Sequence, residues 1–202
     1  PGEMDYLQEY YGTTDVTPYA LFHHFRHFGY SFQHIGRTAE ATAPFLVGIS
    51  ALFTPYAPMA LRTAETVRMH LPQCSIVIGG HHATALPENV MACQAVDFVL
   101  RGDGEASLPA LAKALADGEN KLGDIPGIVF RNSDGSLHIN PPAVADRLDD
   151  LAAPAADLLN FNYYQRNGKA SYSVVTGRGC PLQCSFCSVG KPTGIPFRNR
   201  SV

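Results

Sequence analysis

Charge of one sign is never concentrated in this sequence. Lys and Arg total 15 against 18 Asp and Glu, a formal net charge of −3 over 202 residues. The longest basic cluster is "RNR" at 198 to 200, so nothing resembles the basic stripe of a nucleic-acid-binding protein. Long apolar runs are also missing, which excludes a helical membrane span, and the first residues carry no secretory leader pattern. Internal repeats and low-complexity segments are absent. Cysteine is scarce, and its total of five is odd. An odd, unevenly spread set argues against a secreted disulfide framework and predicts a reducing, cytoplasmic compartment with a metal or redox role for the thiols.

What is present is an alternation of strand and helix. Residues 17 to 29 predict a helix, with Thr17 as cap, Pro18 in the first turn and Gly29 at the exit. Leu21, Phe22, Phe25 and Phe28 share one face, while His23, His24, Arg26 and His27 read as a solvated one. "YSFQHI" (30 to 35), "FLVGIS" (45 to 50), "SIVIGG" (75 to 80) and "DFVLRG" (97 to 102) predict strands. The last three are almost continuously apolar, as parallel strands covered on both faces should be. Helices are expected from Pro58 to His70 with Leu61, Ala64, Val67 and Leu71 inward, from near Pro87, and over 105 to 117 with Leu108, Leu111 and Leu115 inward and Gly118 as the stop. This order predicts an α/β fold with an open, doubly wound, Rossmann- or flavodoxin-like parallel sheet. "GIVFRNSDGSLHIN" (127 to 140) then predicts a β-hairpin turning at Asp134-Gly135. A stretch rich in Pro, Ala and Asp from 141 reads as a linker, and "SYSVVTGRG" (171 to 179) as a further strand. The opening "PGEMDYLQEYYG" makes a poor strand, so a first, central strand is expected to lie upstream of this chain.

That last strand runs into "CPLQCSFCS". Cys180, Cys184 and Cys187 stand at C-x3-C-x2-C. Three thiolates on one loop can surround a compact inorganic cluster. In a 4Fe-4S cluster they would leave one iron open for a chelating substrate or cofactor. Zinc is an alternative, but it wants four protein ligands. Only one C-x2-C unit occurs, Cys184 with Cys187, and the distant candidates are Cys74, Cys93 and His138. A thioredoxin-like pair does not explain the third cysteine.

"TGRGCPLQCSFCS" resembles the cluster loop of the radical S-adenosylmethionine (SAM) superfamily, in which C-x3-C-x-aromatic-C follows the first strand of a βα barrel. The resemblance implies that Cys180, Cys184 and Cys187 ligate three irons of a 4Fe-4S cluster. It implies that the fourth iron chelates SAM, that Phe186 lies beside the SAM adenine, and that the reduced cluster cleaves SAM to a radical. It also implies an electron donor such as flavodoxin or ferredoxin, and a small-molecule substrate that the sequence does not name.

Upstream, the carboxyl ends of the expected strands carry "GISALFTPY", "IGGHHAT" and "RGDGEAS", where ligands of doubly wound sheets bind. Ser50-Ala51-Leu52 followed by Gly79-Gly80 is similar to the S-x-L and G-G motifs of the cobalamin-binding domain that precedes many radical SAM barrels. Gly102-Asp103-Gly104-Glu105 looks like that family's acidic glycine loop. The resemblance implies that Ser50, Leu52, Gly79, Gly80, Gly102, Asp103, Gly104 and Glu105 hold cobalamin. The D-x-H-x-x-G motif, whose histidine ligates cobalt, does not occur, and His81 and His82 are not in its place. Cobalamin is therefore expected without a protein histidine as lower ligand. The expected organisation is a cobalamin-binding-like domain over 1–140, a linker over 141–170 and the first strand and cluster loop of a truncated radical SAM barrel over 171–202. By itself such a chain is expected to be inactive. The intact enzyme would carry out methyl transfer or a radical cyclisation or rearrangement. The rival expectations are a corrinoid-binding module without catalysis and a zinc-stapled structural domain.

Overall fold

The structure is a computed structural model that describes residues 29–118, 121–171, 173–182, 184–187 and 195–201. The expected helix over 17–29 lies outside the described residues except for Gly29. The first described element is helix α1 (Phe32–Thr42), where the alternation in "YSFQHI" had predicted a strand. The reason is local. The Ser31 side chain accepts a hydrogen bond from the His34 amide at 3.2 Å and caps the helix. Phe32, Ile35 and Ala39 then recur at helical spacing, and Ala43 closes the helix in the left-handed conformation.

Five strands form the main sheet in the order β1-β2-β3-β4-β5. β1 (Leu46–Ser50), β2 (Ser75–Gly79) and β3 (Phe98–Leu100) are parallel, as predicted. The hairpin β4 (Ile128–Arg131) and β5 (Leu137–Ile139) is also as predicted, with Gly135 at φ 83° in its turn. It does not stand apart from the parallel strands. It joins β3 antiparallel and makes the sheet mixed.

Side-chain alternation builds two cores. Ile76, Ile78, Val99 and Val129 point to one face, where they meet Ala60, Ala64 and Val67 of helix α2 (Ala57–His70) and Val90 and Met91 of helix α4 (Pro87–Met91). Val77, Leu100 and Ile128 point to the other face and pack with Leu111 and Ala114 of helix α5 (Gly104–Asp117). A short helix α3 (His81–Ala85), which no pattern in the sequence foretold, starts directly after Gly80. Helices therefore cover both faces, which is why the parallel strands read as unbroken apolar runs. Each fully buried aliphatic side chain contributes on the order of 2 kcal/mol relative to exposure.

Arginines satisfy the backbone where the core meets loops. Arg68 donates to the carbonyls of Pro72, Cys74 and Ala95 and to the Asp97 carboxylate, which also accepts from the Ile76 amide at 2.7 Å. Arg131 donates to the carbonyls of Met91, Cys93 and Val96. Buried carbonyls need such partners, and these two guanidiniums seal the amino end of β3.

Beyond Ala143 the chain is irregular, with single helical turns at Leu148–Asp150, Ala156–Leu158 and Phe161–Tyr163 and a two-residue hairpin of β6 (Gln165–Arg166) and β7 (Lys169–Ala170). The strand expected over 171–179 is reduced to β8 (Gly177–Arg178), paired with β9 (Arg198–Asn199). Val174 and Val175, expected inside that strand, are 73% and 67% exposed. A strand needs a neighbour for every residue, and β9 supplies only two.

Candidate functional site

β1, β2 and β3 all point their carboxyl ends to the same edge of the sheet, as parallel strands must. On the α5 face of that edge lies a trough of about 330 Å³, lined by Gly48, Ser50, Val77, Gly79, Gly80, Leu100, Gly104 and Leu108. Its floor is backbone. A Cβ added at Gly104 would meet nothing within 4 Å, and one added at Gly48 would meet only Val77, at 4.0 Å. These glycines are not demanded by protein packing, and they leave space that side chains would otherwise fill. Gly80 differs: its φ is +107° and a Cβ there would come within 2.7 Å of the Ala51 carbonyl oxygen. It lets the chain turn from β2 into α3 against the Ala51 backbone, whose carbonyl accepts from His82 and whose amide donates to Gly79.

Of the residues expected to hold cobalamin, the structure brings Ser50, Gly79, Gly80 and Gly104 together in this trough. Leu52 is not among them. The strand ends at Ser50 and the chain turns, so Leu52 lies beside Phe53 and Tyr56 in a neighbouring hollow that shares Ile49 and Ser50 with the trough. Gly102 sits on a backbone crossing, where its amide donates to Thr84 Oγ1 at 2.9 Å and Ala143 pairs with it. Asp103 and Glu105 turn to arginines of the carboxyl-terminal segment instead of the trough.

Leu108 was expected to point inward but is 41% exposed. It lines the glycine trough, whose open space leaves it partly uncovered. Gly48, Val77 and Leu108 are trough residues that the sequence reading passed over. The signal was an isolated glycine inside an apolar strand, which marks a close backbone approach.

A second hollow, of about 440 Å³, opens between the sheet edge and the β8–β9 pair, and His81, Asp103, Arg178 and Arg198 contribute to its wall. Burial pulls the Asp103 carboxyl upward. The hydrogen bonds from Arg198, the Ala145 amide and Arg178 outweigh it and hold the group below the usual carboxylate range. Glu105 is held low chiefly by its hydrogen bonds from Arg178, whose own ionisation is driven further up by Glu105 and Asp103.

The cysteine loop follows β8 directly. No disulfide joins the described cysteines; Cys184 is exposed and Cys180 and Cys187 are half-buried. The Cys187 amide donates to the Cys184 carbonyl at 3.2 Å, which puts the last two cysteines on one turn. Phe186 is 91% exposed. Among the described residues no three His, Cys, Asp or Glu side chains are gathered as a metal site. The donor set is nevertheless what an iron–sulfur cluster uses, three thiols within eight residues, and the bulky side chains between them, Leu182 and Phe186, are turned to solvent. Cys74 and Cys93, the distant zinc candidates, lie in or against the sheet core, and His138 stacks on Phe130.

Comparison with known proteins assigns this arrangement. Residues 21–112 match the family model of the B12 binding domain. The hopanoid C-3 methylase of Methylococcus capsulatus is 32% identical over 166 residues, covering 80% of this chain and 31% of the methylase. The anaerobic magnesium-protoporphyrin IX monomethyl ester cyclase of Synechocystis is 31% identical over 133 residues, covering 64% of this chain and 26% of the cyclase. The chain belongs to the cobalamin-binding radical SAM proteins. It spans between about a quarter and a third of the length of these curated relatives. The fold is shared with the radical S-adenosylmethionine methyltransferase TsrM of Kitasatospora setae, solved with cobalamin and a [4Fe-4S] cluster bound. The match has a TM-score of 0.65 at 20% identity and covers 85% of this chain and 36% of TsrM. The described helices include none long and apolar enough to cross a membrane.

Proposed function

We propose that this chain is the cofactor-binding part of a cobalamin-dependent radical SAM methyltransferase. The observation that carries the reading is the placement of a glycine-floored trough and a three-cysteine loop at the same edge of one sheet. Ser50, Gly79, Gly80 and Gly104 would hold the corrinoid tail, with backbone amides and the Ser50 hydroxyl offered to its polar groups. Nothing in the trough offers a histidine to cobalt. The nearest candidates are His82, buried beside Thr54 with Nδ1 at 3.3 Å from Oγ1, and His81 in the second hollow. Cys180, Cys184 and Cys187 would ligate three irons of a 4Fe-4S cluster, and exposed Phe186 would lie against SAM. When bound, this set supplies reductive cleavage of SAM and a methyl carrier. The chain's own residues bind it, orient it and shield it from water.

The domain boundaries follow: a cobalamin-binding unit to 140, a linker over 141–170, and the start of a radical SAM barrel from 171. Val174, Val175, Leu182 and Phe186, all exposed here, would be covered by the rest of that barrel. The substrate would be a small molecule and the reductant a flavodoxin or ferredoxin. The hopanoid methylase among the relatives favours methyl transfer, and the cyclase keeps a radical cyclisation as the second reading.

The test is anaerobic reconstitution of the full-length gene product with iron, sulfide and hydroxocobalamin, followed by metal analysis. About four irons and one cobalt per chain support the proposal. Iron without cobalt removes the trough from the mechanism. Cobalt without iron leaves a corrinoid-binding module and overturns the role of the cysteines.

A further inference from the structure

Asp103 occupies the N-cap position of α5, where an aspartate ordinarily accepts from the first helical amides, yet its carboxylate makes no cap hydrogen bond. It is turned the other way. Oδ1 accepts from Arg178 at 2.8 Å, and Oδ2 accepts from Arg198 at 2.5 Å and from the Ala145 amide at 2.9 Å. Arg198 also donates to the Ala145 carbonyl at 2.6 Å. Glu105 takes both terminal nitrogens of Arg178, one of them at 3.0 Å.

Arg178 and Arg198 are direct cross-strand partners in the β8–β9 pair. Two guanidiniums at such positions repel each other. Asp103 bridges them and Glu105 neutralises the second charge. The Asp103 and Arg198 side chains are only 11% and 8% exposed, so solvent screens this contact poorly. Arg178 stands two residues before Cys180. Gly104, between the two acids, lines the trough. One short loop therefore touches both the trough and the strand that carries the cysteines.

We propose that Asp103 is a positioning residue. It holds the β8–β9 pair, and with it the cysteine loop, at a fixed place over the carboxyl edge of the sheet, so that cluster and corrinoid face each other at a set separation. This rests on the function proposed above. It gives the two acids of the glycine loop a different task from direct cofactor contact, with Glu105 and Arg198 completing the clasp.

The test compares wild type with Asp103→Asn, Asp103→Glu and Arg178→Gln. The last lies outside the sheet unit and protects the experiment against misfolding at position 103. In this chain without cofactors, amide exchange over 173–187 is expected to speed roughly tenfold in Asp103→Asn and Arg178→Gln, with 75–79 unchanged. Asp103→Glu, which keeps the charge, restores most of the protection. In the reconstituted full-length protein, iron and cobalt contents stay within about twofold of wild type. The relaxation enhancement that the reduced cluster imposes on the cob(II)alamin electron-spin signal is lost in Asp103→Asn and altered in Asp103→Glu. A residue that only stabilised the fold would not move that signal at constant loading. Unchanged exchange and unchanged spin relaxation in Asp103→Asn would overturn the proposal. So would a cobalamin affinity lowered tenfold with exchange unchanged, which would make Asp103 a cofactor contact. If wild type takes up no iron, the function proposed above fails, while the exchange data on the apo chain still decide whether Asp103 holds the strand pair.

Discussion

The unit from Leu46 to Leu148 and the segment that follows it solve the burial problem differently. In the first, Ile76, Ile78, Val99, Leu111, Ile128 and Leu148 are all at or below 2% exposure. In the second, Leu158 and Tyr163 are 81% exposed, with Val174, Val175, Leu182 and Phe186 also on the surface. The first unit carries its own hydrophobic driving force. The second is attached by polar contacts that depend on ionisation and direction: the ion pairs of Arg178 and Arg198 with Asp103, and Arg198 donating to the Ala145 carbonyl. The lesson is that the two parts should fail independently, by different agents.

The largest effect should come from the sheet core. Ile76→Ala removes a fully buried side chain between β1 and β3. Its expected cost is about 2–5 kcal/mol in urea unfolding followed by circular dichroism. A loss below 1 kcal/mol would mean that the sheet unit is not the cooperative core.

Next is the trough. Gly104→Leu places a side chain where a Cβ meets nothing, so the fold should tolerate it while corrinoid binding weakens at least about tenfold. Equilibrium titration of hydroxocobalamin, beside a thermal melt, separates the two. Equal binding by the variant would take the trough out of the cofactor site.

Acid should act on the second region before the first. Asp103 and Glu105 are held below the usual carboxylate range. The stability they give to docking is therefore complete above the unfolded value near pH 4 and is lost as pH falls through their lower folded values. Glu105 is 35% exposed, so its share is the smaller. Backbone NMR signals of Thr176 to Gly179 should shift in that acid range while those of β2 hold still. Simultaneous loss of both would erase the distinction drawn here.

The smallest effect belongs to the exposed apolar surface. Leu158→Ser should change the stability of this chain by less than about 0.5 kcal/mol. A larger loss would show that Leu158 is buried against something in solution.

The parallel strands, the hairpin and α5 were legible because apolar run length, the Asp134-Gly135 turn and the Gly118 stop are local signals. The helix at Phe32 was not, because Tyr30 and Phe32 alternate as in a strand while Phe32, Ile35 and Ala39 recur as in a helix, and Ser31 decided between them by capping. Ser50, Gly79, Gly80 and Gly104 could be found as a set from their place at strand ends. The partners of Asp103 and Glu105 could not. Arg178 lies 75 residues from Asp103 and Arg198 lies 95 residues away, and no periodicity connects such positions.

The crossing at Gly102 has an entropic consequence. Ala143 pairs with Gly102 and its amide donates to the Arg101 carbonyl, so the outgoing chain is stitched to the end of β3 before it wanders. Arg178 is 75 residues from Asp103, but α5 and the β4–β5 hairpin are folded between them, so only the chain after Ile139 is left to close the loop. The stitch sets the start of that free chain beside Asp103, where Ala145 donates to its carboxylate, and the roughly thirty residues from there to Arg178 close a loop whose penalty grows only slowly with length. The tether thus begins where it must return, and the cysteine strand is kept at high local concentration around its docking site even when the clasp is open.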